Sequence, residues 1–501
     1  MAYTIPYRNQ CRKLIMTSER TFSDSNIVDV LNKALTVHST NAVDIQRLYD
    51  YYIGEQDILY RIKKVRPEIN NKVVVNHALE IANFKIGFTF GKPVQYVYAG
   101  SDTASDSANS ADDASLAGLN RLMRRCKKAT KDAELAFWLF VCGIGQRITL
   151  YNKDSKELEI HTCDPRSCFV VYSDDFRHEP LLGVVFSRDD TKIDTSGITY
   201  SVYSKDHFWE IKGGKILRSE VTAAGLPITE YRANITRQGS FEVVMGLIDA
   251  INKSVSNRID GIEQNIQSLT WFNNIEIEEE QYEALTQKGG ICTKSSANLP
   301  ASIQMLNNNL DQTQTQVAID DLYQTMLTIA AVPDRRASAG GNTGQALIIG
   351  EGWTNAESAA ETFEDIFEAD ERRFLSGVLR IIKTVKTAST SPETFADLDI
   401  EDIKIQFTRN KTDNLLTKTQ GLQNQLEAGV HPRIAIENCG LYSDPHQVYV
   451  DSETAGYLDK WKQTGEQDKT AAGQNTVNAE EEFDALLRKI GGVNGNTETA
   501  V

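Results

Sequence analysis

One segment of the chain has residue types that could hold a phosphate group. Gly340–Gly344 offers closely spaced glycines, and phosphate-binding loops use backbone amides of this kind. Such a loop also needs a lysine and then a serine or threonine after its last glycine, but Gln345 and Ala346 stand there. The sequence therefore argues against a nucleotide site and favours a flexible loop that caps the helix after it.

Two cysteines and a histidine lie close enough in sequence to suggest a metal site. They are His161, Cys163 and Cys168. Structural zinc is normally held by four ligands, and no second Cys/His pair occurs at a useful spacing. We interpret these residues as ordinary strand and turn residues and expect neither a metal nor another cofactor.

Residues 415–441 have the outline of a helix-turn-helix, with two short helices around Gly429. A DNA-reading motif places basic or amide side chains along its second helix. Here His431, Arg433 and Asn438 are few and their surroundings are acidic. A pair of packing helices is the favoured interpretation, and a DNA-binding regulatory protein stays open as an alternative.

The sequence contains no recognisable catalytic constellation. The seven histidines are dispersed, and no Ser/His/Asp, Cys/His or paired-carboxylate arrangement stands out. We therefore expect a protein that is not an enzyme and has no catalytic residue. A DNA translocase driven by nucleotide hydrolysis is a second alternative, and the missing loop lysine argues against it.

Composition narrows the class of protein further. The 501 residues are 41% hydrophobic and 24% charged, which is typical of globular domains, and the net charge is −16. An acidic chain cannot coat nucleic acid tightly, although DNA could slide past it. Seven cysteines, no apolar signal segment at the N-terminus and no long apolar run predict a soluble protein of a reducing compartment, without membrane association.

The clearest structural pattern is a pair of one-sided helices. Residues 241–269 carry apolar side chains at spacings of three and four, and residues 311–333 repeat the pattern. A small β insert, residues 270–310, separates them. A single chain would leave such a stripe exposed, so we expect neighbouring subunits of a ring to cover it. The predicted subunit interface is Val244, Ile248, Ile251, Val255, Ile259 and Ile262.

Other patterns outline the rest of the chain. Strand signals dominate up to Tyr231, which predicts an α+β first half with an antiparallel sheet. The Ser/Ala/Asp-rich residues 99–115 are expected to be a mobile loop, followed by one helix over Leu116–Val141. A helix is predicted from about Ile45 with Gly54 as its stop. A long helix is predicted from about Thr343 to Lys386, with bends at Gly350 and Gly352.

Five blocks of sequence in order resemble the portal proteins of long-tailed bacteriophages, of the type found in phages of Gram-positive hosts. The blocks are Asn70–Asn76 with Gly87–Val94, Cys142–Gly145, Asp164–Asp175, Gly225–Tyr231 through Leu247–Ala250, and Thr343–Leu347. Together they span residues 45 to about 440.

The resemblance implies a portal fold of α+β class, with a wing, a two-helix stem, a small α/β clip, a long kinked helix and an α-helical crown. Its expected divisions are residues 1–240 for the wing, 241–269 and 311–333 for the stem, 270–310 for the clip, 334–343 for the tunnel loop, 344–415 for the long helix and return strand, and 416–501 for a crown with a flexible polar tail.

The resemblance also implies a function. Portal proteins form a head–tail connector ring of about twelve subunits at one capsid vertex, through which double-stranded DNA is packaged and later ejected without sequence specificity. The implied partners are the large terminase subunit, a head-completion adaptor, and the major capsid and scaffold proteins, with assembly in the host cytoplasm.

Two sets of residues are assigned roles on this basis. The tunnel loop that faces DNA would include Arg335, Arg336, Ser338, Gly340, Gly341 and Asn342. The clip is small and has few core side chains, and its acids would be free to meet a basic partner surface. These acids are Glu276, Glu278, Glu279 and Glu280.

Overall fold

The computed structural model describes residues 11–98, 109–152, 154–155, 157–188, 197–222, 225–266, 269–273, 302–306, 312–334, 343–388, 398–407, 415–439, 441–442 and 445–458. The chain divides into two compact units. The first comprises residues 1–89 and 121–400, and the second residues 90–120 and 401–501.

Helices and strands alternate irregularly along the described residues. The helices are α1 (Ile27–Ile53), α2 (His77–Phe90), α3 (Asn109–Arg125), α4 (Lys128–Cys142), α5 (Met245–Ile266), α6 (Gln312–Ile329), α7 (Thr343–Ala388), α8 (Leu415–Glu427), α9 (Pro432–Cys439) and α10 (Pro445–Thr454). The strands are β1 (Met16–Thr17), β2 (Gln95–Tyr98), β3 (Ile144–Asn152), β4 (Glu157–Cys163), β5 (Cys168–Ser173), β6 (Pro180–Arg188), β7 (Ile198–Tyr203), β8 (His207–Lys212), β9 (Lys215–Val221), β10 (Ile228–Arg232), β11 (Leu269–Asn273), β12 (Ser302–Leu306) and β13 (Ile403–Gln406).

The first unit contains two main sheets. Six strands lie in the order β1-β5-β6-β7-β8-β9, and three lie in the order β10-β3-β4. All these pairings are antiparallel except that of β1 with β5. The α+β class and the antiparallel sheet predicted from the sequence are therefore confirmed. Helix α1 packs its first half on the larger sheet through Ile27, Leu31 and Ala34.

The core of the first unit forms where six helices meet. Helices α1, α2, α4, α5, α6 and α7 each contribute buried apolar side chains to one cluster. Among its fully buried members are Ile45, Ile81, Val141, Phe241, Ile248 and Met326. Every helix in this cluster is thereby fixed by burial of one of its faces, which is the main source of helix stability in proteins.

Two glycines allow the close join between α4 and β3. Gly143 has a left-handed φ of 84°, and a Cβ atom there would lie only 2.5 Å from the Arg237 carbonyl oxygen. At Gly145 a Cβ would lie 2.7 Å from Leu135 Cδ1. Only glycine fits both positions, which explains why the sequence block Cys142–Gly145 has this composition.

The second unit is described by itself. Its strands β2 and β13 pair antiparallel, with Ile405 opposite Tyr96. Helices α8 and α9 flank Gly429, as predicted, and α9 also contacts α10. Ala435 and Ile436 bury the inner side of α9, whereas Arg433 is exposed.

Three predictions about helices need correction. Residues 109–115 are not a loop, because α3 begins at Asn109. The single helix expected over Leu116–Val141 is two helices, broken at Lys127 in a left-handed conformation. Helix α1 begins at Ile27, well before Ile45, although it ends at Gly54 as predicted.

The long helix is close to its prediction. It runs from Thr343 to Ala388 without interruption in its helical pattern, through Gly350 and Gly352. A bend at these glycines stays a prediction. Of the region 270–310, the structure describes residues 270–273 of β11 and the whole of β12, and the two strands pair antiparallel with Trp271 opposite Gln304. No helix among the described residues combines the length and apolar character needed to cross a membrane.

A buried group of charges fixes α7 to the three-stranded sheet and to α4. Arg147 on β3 and Glu371 on α7 are fully buried, and Arg147 Nη1 donates to Glu371 Oε2 at 3.1 Å. Lys128 Nζ lies 3.0 Å from Glu371 Oε1 and 2.7 Å from Asp132 Oδ2. The Tyr231 hydroxyl donates to Glu371 at 2.6 Å. Arg147 also contacts Asp132, so the charges compensate one another.

The preceding residue of α7 repeats this arrangement. Asp370 is fully buried and lies 3.3 Å from Arg232 Nη2 and 3.0 Å from Arg373 Nη1. Burial raises the pKa of Asp370 even though the two guanidinium groups act in the opposite direction. Glu371 and Asp370 are adjacent on α7 and pair with residues of two different strands, β3 and β10. Both pairings can form only at one rotation of the helix about its axis.

We expect Glu371→Gln to destabilise the chain by about 3–5 kcal/mol, because it leaves buried Lys128 and Arg147 with insufficient negative charge. Glu368→Gln is the matched control, since Glu368 lies on the same helix in a partly exposed pair with Arg372 and should cost less than about 1 kcal/mol. Urea unfolding of both variants measures the difference. Equal losses would contradict the role assigned to the buried group.

Candidate functional site on the paired helices

Helices α5 and α6 form a hairpin that continues into the strands β11 and β12. The two helices contact each other, and Ile319, Tyr323 and Met326 of α6 join the cluster that contains Ile248 and Ile251 of α5. Beyond the helices, β11 and β12 pair antiparallel. The hairpin therefore has the helix–strand–strand–helix order expected from the sequence.

The apolar stripe of α5 is largely covered by its own chain. Val244, Ile248 and Ile251 are buried, while Val255 and Ile259 are partly buried. The premise that the stripe is exposed on a single chain is wrong for the first three, because α1, α2 and α6 pack on them. Among the six residues of the predicted interface, Ile262 keeps the largest exposed fraction, 46%.

The polar side of α5 is buried as well. Asn252, Ser256 and Asp260 lie four residues apart and are almost completely inaccessible. They are covered by residues 56–76, a segment of short 3-10 helix, turns and extended chain that we call the strap. Helix α5 is thus enclosed by its own chain on two sides.

The strap lies on α5 through its backbone. Four residues of a helix and two residues of an extended chain both advance about 6–7 Å. Polar side chains four apart on α5 therefore match alternate amides of the strap. The amide of Val75 donates to Asn252 Oδ1 at 2.8 Å, that of Val73 to Ser256 Oγ at 3.0 Å, and that of Asn71 to Asp260 Oδ1 at 2.8 Å.

Asp260 is the charged end of this arrangement. Its Oδ2 lies 3.0 Å from Lys63 Nζ and 3.2 Å from Arg61 Nη2, both from the strap. Burial alone would raise the pKa of Asp260, but the hydrogen bonds from Asn71 and Lys63 outweigh it, so the pKa is lowered. The carboxylate thus remains charged and holds two cations of the strap.

These ion pairs leave apolar side chains of the strap exposed. With Arg61 and Lys63 paired to α5, Tyr60 is 70% exposed, Ile62 81% and Val65 76%. Large apolar side chains clustered on a surface mark interaction sites. Sequence reasoning missed this patch, although the alternation of Tyr and Ile with Arg and Lys was a signal for it.

Asp249 occupies the other end of the polar side. Its Oδ1 accepts a hydrogen bond from the buried Tyr51 hydroxyl at 2.8 Å, and its buried Oδ2 has no hydrogen-bond partner among the described residues. Burial raises the pKa of Asp249 from 3.8 to about 6. Burial also raises the pKa of Tyr51. Near neutral pH the Asp249 carboxylate is therefore ionised although its burial disfavours the charge, and this lowers the stability of the folded chain.

Comparison with known proteins identifies the family. The model of the phage portal protein family, SPP1 Gp6-like, matches residues 31–470 of the 501. The chain belongs to this family of phage portal proteins. No match was found among curated proteins. The resemblance stated from the five sequence blocks is thereby confirmed, and the family is structural rather than catalytic.

The other residues assigned roles in this portal protein lie outside the described part of the chain. The structure gives no position for Arg335, Arg336, Ser338, Gly340, Gly341 and Asn342 of the tunnel loop, nor for Glu276, Glu278, Glu279 and Glu280 of the clip. Their roles stay predictions.

The cysteine pair noted in the sequence is close in space. Cys163 ends β4 and Cys168 begins β5, and a hydrogen bond from the Cys168 thiol lowers the pKa of Cys163. Burial raises the pKa of Cys168. Within the described ranges, no group of three or more His, Cys, Asp or Glu side chains is arranged to hold a metal ion.

We expect Asp249→Asn to stabilise the portal protein at pH 8 by about 1–3 kcal/mol and to have little effect at pH 4. At pH 4 the folded chain already carries the protonated, neutral carboxyl. As the pH rises from about 4 to about 6, the unfolded chain loses this proton while the folded chain still holds it, so the stability of the folded state falls; above about 6 both states are ionised and the loss is complete.

Unfolding of wild type and variant at both pH values measures the effect. Asp321→Asn, at an exposed position of α6, is the control. A gain of equal size at pH 4 and pH 8 would contradict the assignment to Asp249 ionisation.

Proposed function

We propose that the chain assembles into a closed ring of about twelve copies at one vertex of the phage capsid. Double-stranded DNA is packaged through its channel by a separate terminase and is later ejected through the same channel. The observation that carries this proposal is the portal family match over residues 31–470. The hairpin of α5 and α6 supports it, since a paired-helix stem is what the portal resemblance implied.

The charge of the chain suits a passage for DNA. At −16 per chain, a ring of twelve would carry a net charge near −190. A strongly negative surface repels another polyanion, so DNA would pass without adhering. Residues 334–343 form the tunnel loop in this proposal, and Arg335 and Arg336 are the cations that meet DNA phosphates there.

The roles of the remaining parts follow from the same proposal. Helices α5 and α6 form the stem, and residues 270–310 form the clip at its end. The acids Glu276 and Glu278–Glu280 steer basic surfaces of the terminase large subunit, and afterwards of the head-completion adaptor, onto the clip. The wing and crown face the major capsid and scaffold proteins during assembly in the host cytoplasm.

The subunit interface is narrower in this proposal than the whole apolar stripe. It uses the side chains that the chain itself leaves exposed, namely Ile262 on α5 and the patch of Tyr60, Ile62 and Val65 on the strap. Ile251 contributes to folding rather than to assembly, because it is buried in the core of its own chain.

We expect Ile262→Asp, and separately Ile62→Asp, to prevent ring formation while the chain remains folded. A charge placed in a closed interface without a partner is strongly unfavourable, whereas both positions tolerate it on a free chain. Asn32→Asp adds the same charge at an exposed position in the first half of α1, which packs on the larger sheet, and should leave rings intact.

Light scattering measures assembly, since one chain of 55.9 kDa and a ring of about twelve differ greatly in mass. Circular dichroism checks that the variants are folded. Rings of normal mass in both Ile variants would contradict the proposed interface, and a stable wild-type monomer at micromolar concentration would contradict the ring.

We expect replacement of Gly340-Gly341 by Ala-Ala to leave rings intact and to reduce DNA packaging. Glycines provide the backbone freedom that a moving loop requires, and alanine removes part of it. Ala339→Ser, which keeps both glycines, is the control. The amount of DNA protected from nuclease in a packaging reaction measures the effect, and a normal yield from the Ala-Ala variant would refute a role of these glycines in translocation.

A further inference from the structure

A cavity of about 270 Å³ lies in the first unit beside α2. Its walls are mostly apolar, from the rings of Phe88, Phe140 and Phe363 and from alanines of α7. Polar residues at its margin include Asn234 and Gln238. One charged residue, Lys85, is among the described residues that line it.

The Lys85 amine has no described partner. No hydrogen bond or ion pair joins it to any residue in the described part of the chain. Part of its side chain remains accessible, but protein atoms crowd the amine, and this burial lowers its pKa to about 8. Lysines normally extend their amine into water or meet an acid. Lys128 of the same unit does the second, with carboxylates of Asp132 and Glu371 within 3.0 Å.

A carboxylate is the group that would best stabilise the charged Lys85 amine in this cavity. An anion next to Lys85 would restore the favourable charged state of the amine, which burial alone disfavours. Small-molecule sites usually enclose about 300–1,000 Å³, and this cavity is smaller. One inserted side chain fits the available volume better than a complete ligand does.

A second copy of the same chain is the occupant that the charge favours. The chain has 69 acidic residues against 53 Lys and Arg, so a neighbouring copy presents many carboxylates. A cation left uncompensated in one chain is complementary to such a surface.

We propose that, in the assembled ring, an aspartate or glutamate of the adjacent subunit enters the cavity and pairs with Lys85. This inference rests on the proposed ring. It adds that Lys85, which has no partner among the described residues of its own chain, gains one from the next subunit.

Zero-length cross-linking of intact rings with a water-soluble carbodiimide tests the pairing. The reagent joins an amine to a carboxylate only where the two are in contact. We expect a covalent dimer on a denaturing gel, with Lys85 linked to an Asp or Glu, and mass spectrometry of the linked peptides identifies that acid. In Lys85→Met rings this dimer should be lost, because the variant keeps an unbranched side chain but has no amine.

A second measurement distinguishes a carboxylate of the adjacent subunit from that of a free small acid. In rings, Lys85 should react with an acetylating reagent far less than the exposed Lys33, both before and after addition of hexanoate. Protection that appears only with hexanoate would overturn the proposal in favour of a site for free small acids. Intact rings that lack any cross-link from Lys85 would also overturn it, whereas light scattering of the same sample reports separately whether the ring exists.

Discussion

Helix α5 is enclosed by its own chain on two chemically different sides, and most of the first unit is organised by this constraint. One side places Val244, Ile248 and Ile251 in the core with α1, α2 and α6. The other uses Asn252, Ser256 and Asp260 to satisfy backbone amides of the strap. Buried amides without partners are costly, so an extended segment can lie against a helix only where side chains replace a neighbouring strand.

The second organising feature is the way charges are buried in groups. Arg147, Lys128, Asp132 and Glu371 compensate one another without access to water, and Asp370 has its own two arginines. Such groups add little net stability relative to an apolar core, but they penalise any arrangement that separates the partners. They therefore specify the rotation and axial position of α7 more sharply than apolar packing would.

Much of this architecture could be predicted from residue patterns. The 3.6-residue period located α5, α6 and α7 within a few residues, and alternation located the antiparallel sheet, because these are local properties. The strap shows what local pattern misses. Asn70–Asn76 was noted as part of a sequence block, but its contact with α5 joins residues about 180 positions apart, and no single-chain periodicity reports such a contact.

Because local patterns do not report distant contacts, the prediction that a single chain leaves the apolar stripe of α5 exposed was also wrong for Val244, Ile248 and Ile251. A polar face such as Asn252, Ser256 and Asp260 has the same periodicity whether it meets water or a backbone, so the sequence could not distinguish the two. The exposed patch of the strap follows from the positions of Arg61 and Lys63, which are known only once Asp260 is placed. The portal family, by contrast, was recognisable from five short blocks, since their order is itself informative.

The match between the helix period and the extended period has a mechanical consequence. Sliding the strap by two residues toward the C-terminal end of α5 would place the amide of Val75 opposite Ser256 and that of Val73 opposite Asp260, whereas intermediate positions would leave the amides without acceptors. The hydrogen bonds between the strap and α5 can therefore form only at discrete positions along the helix axis, about 6–7 Å apart. One of these positions is preferred, because only there do Arg61 and Lys63 pair with the carboxylate of Asp260. Moving the strap along α5 therefore requires the three amide hydrogen bonds and both ion pairs of Asp260 to break.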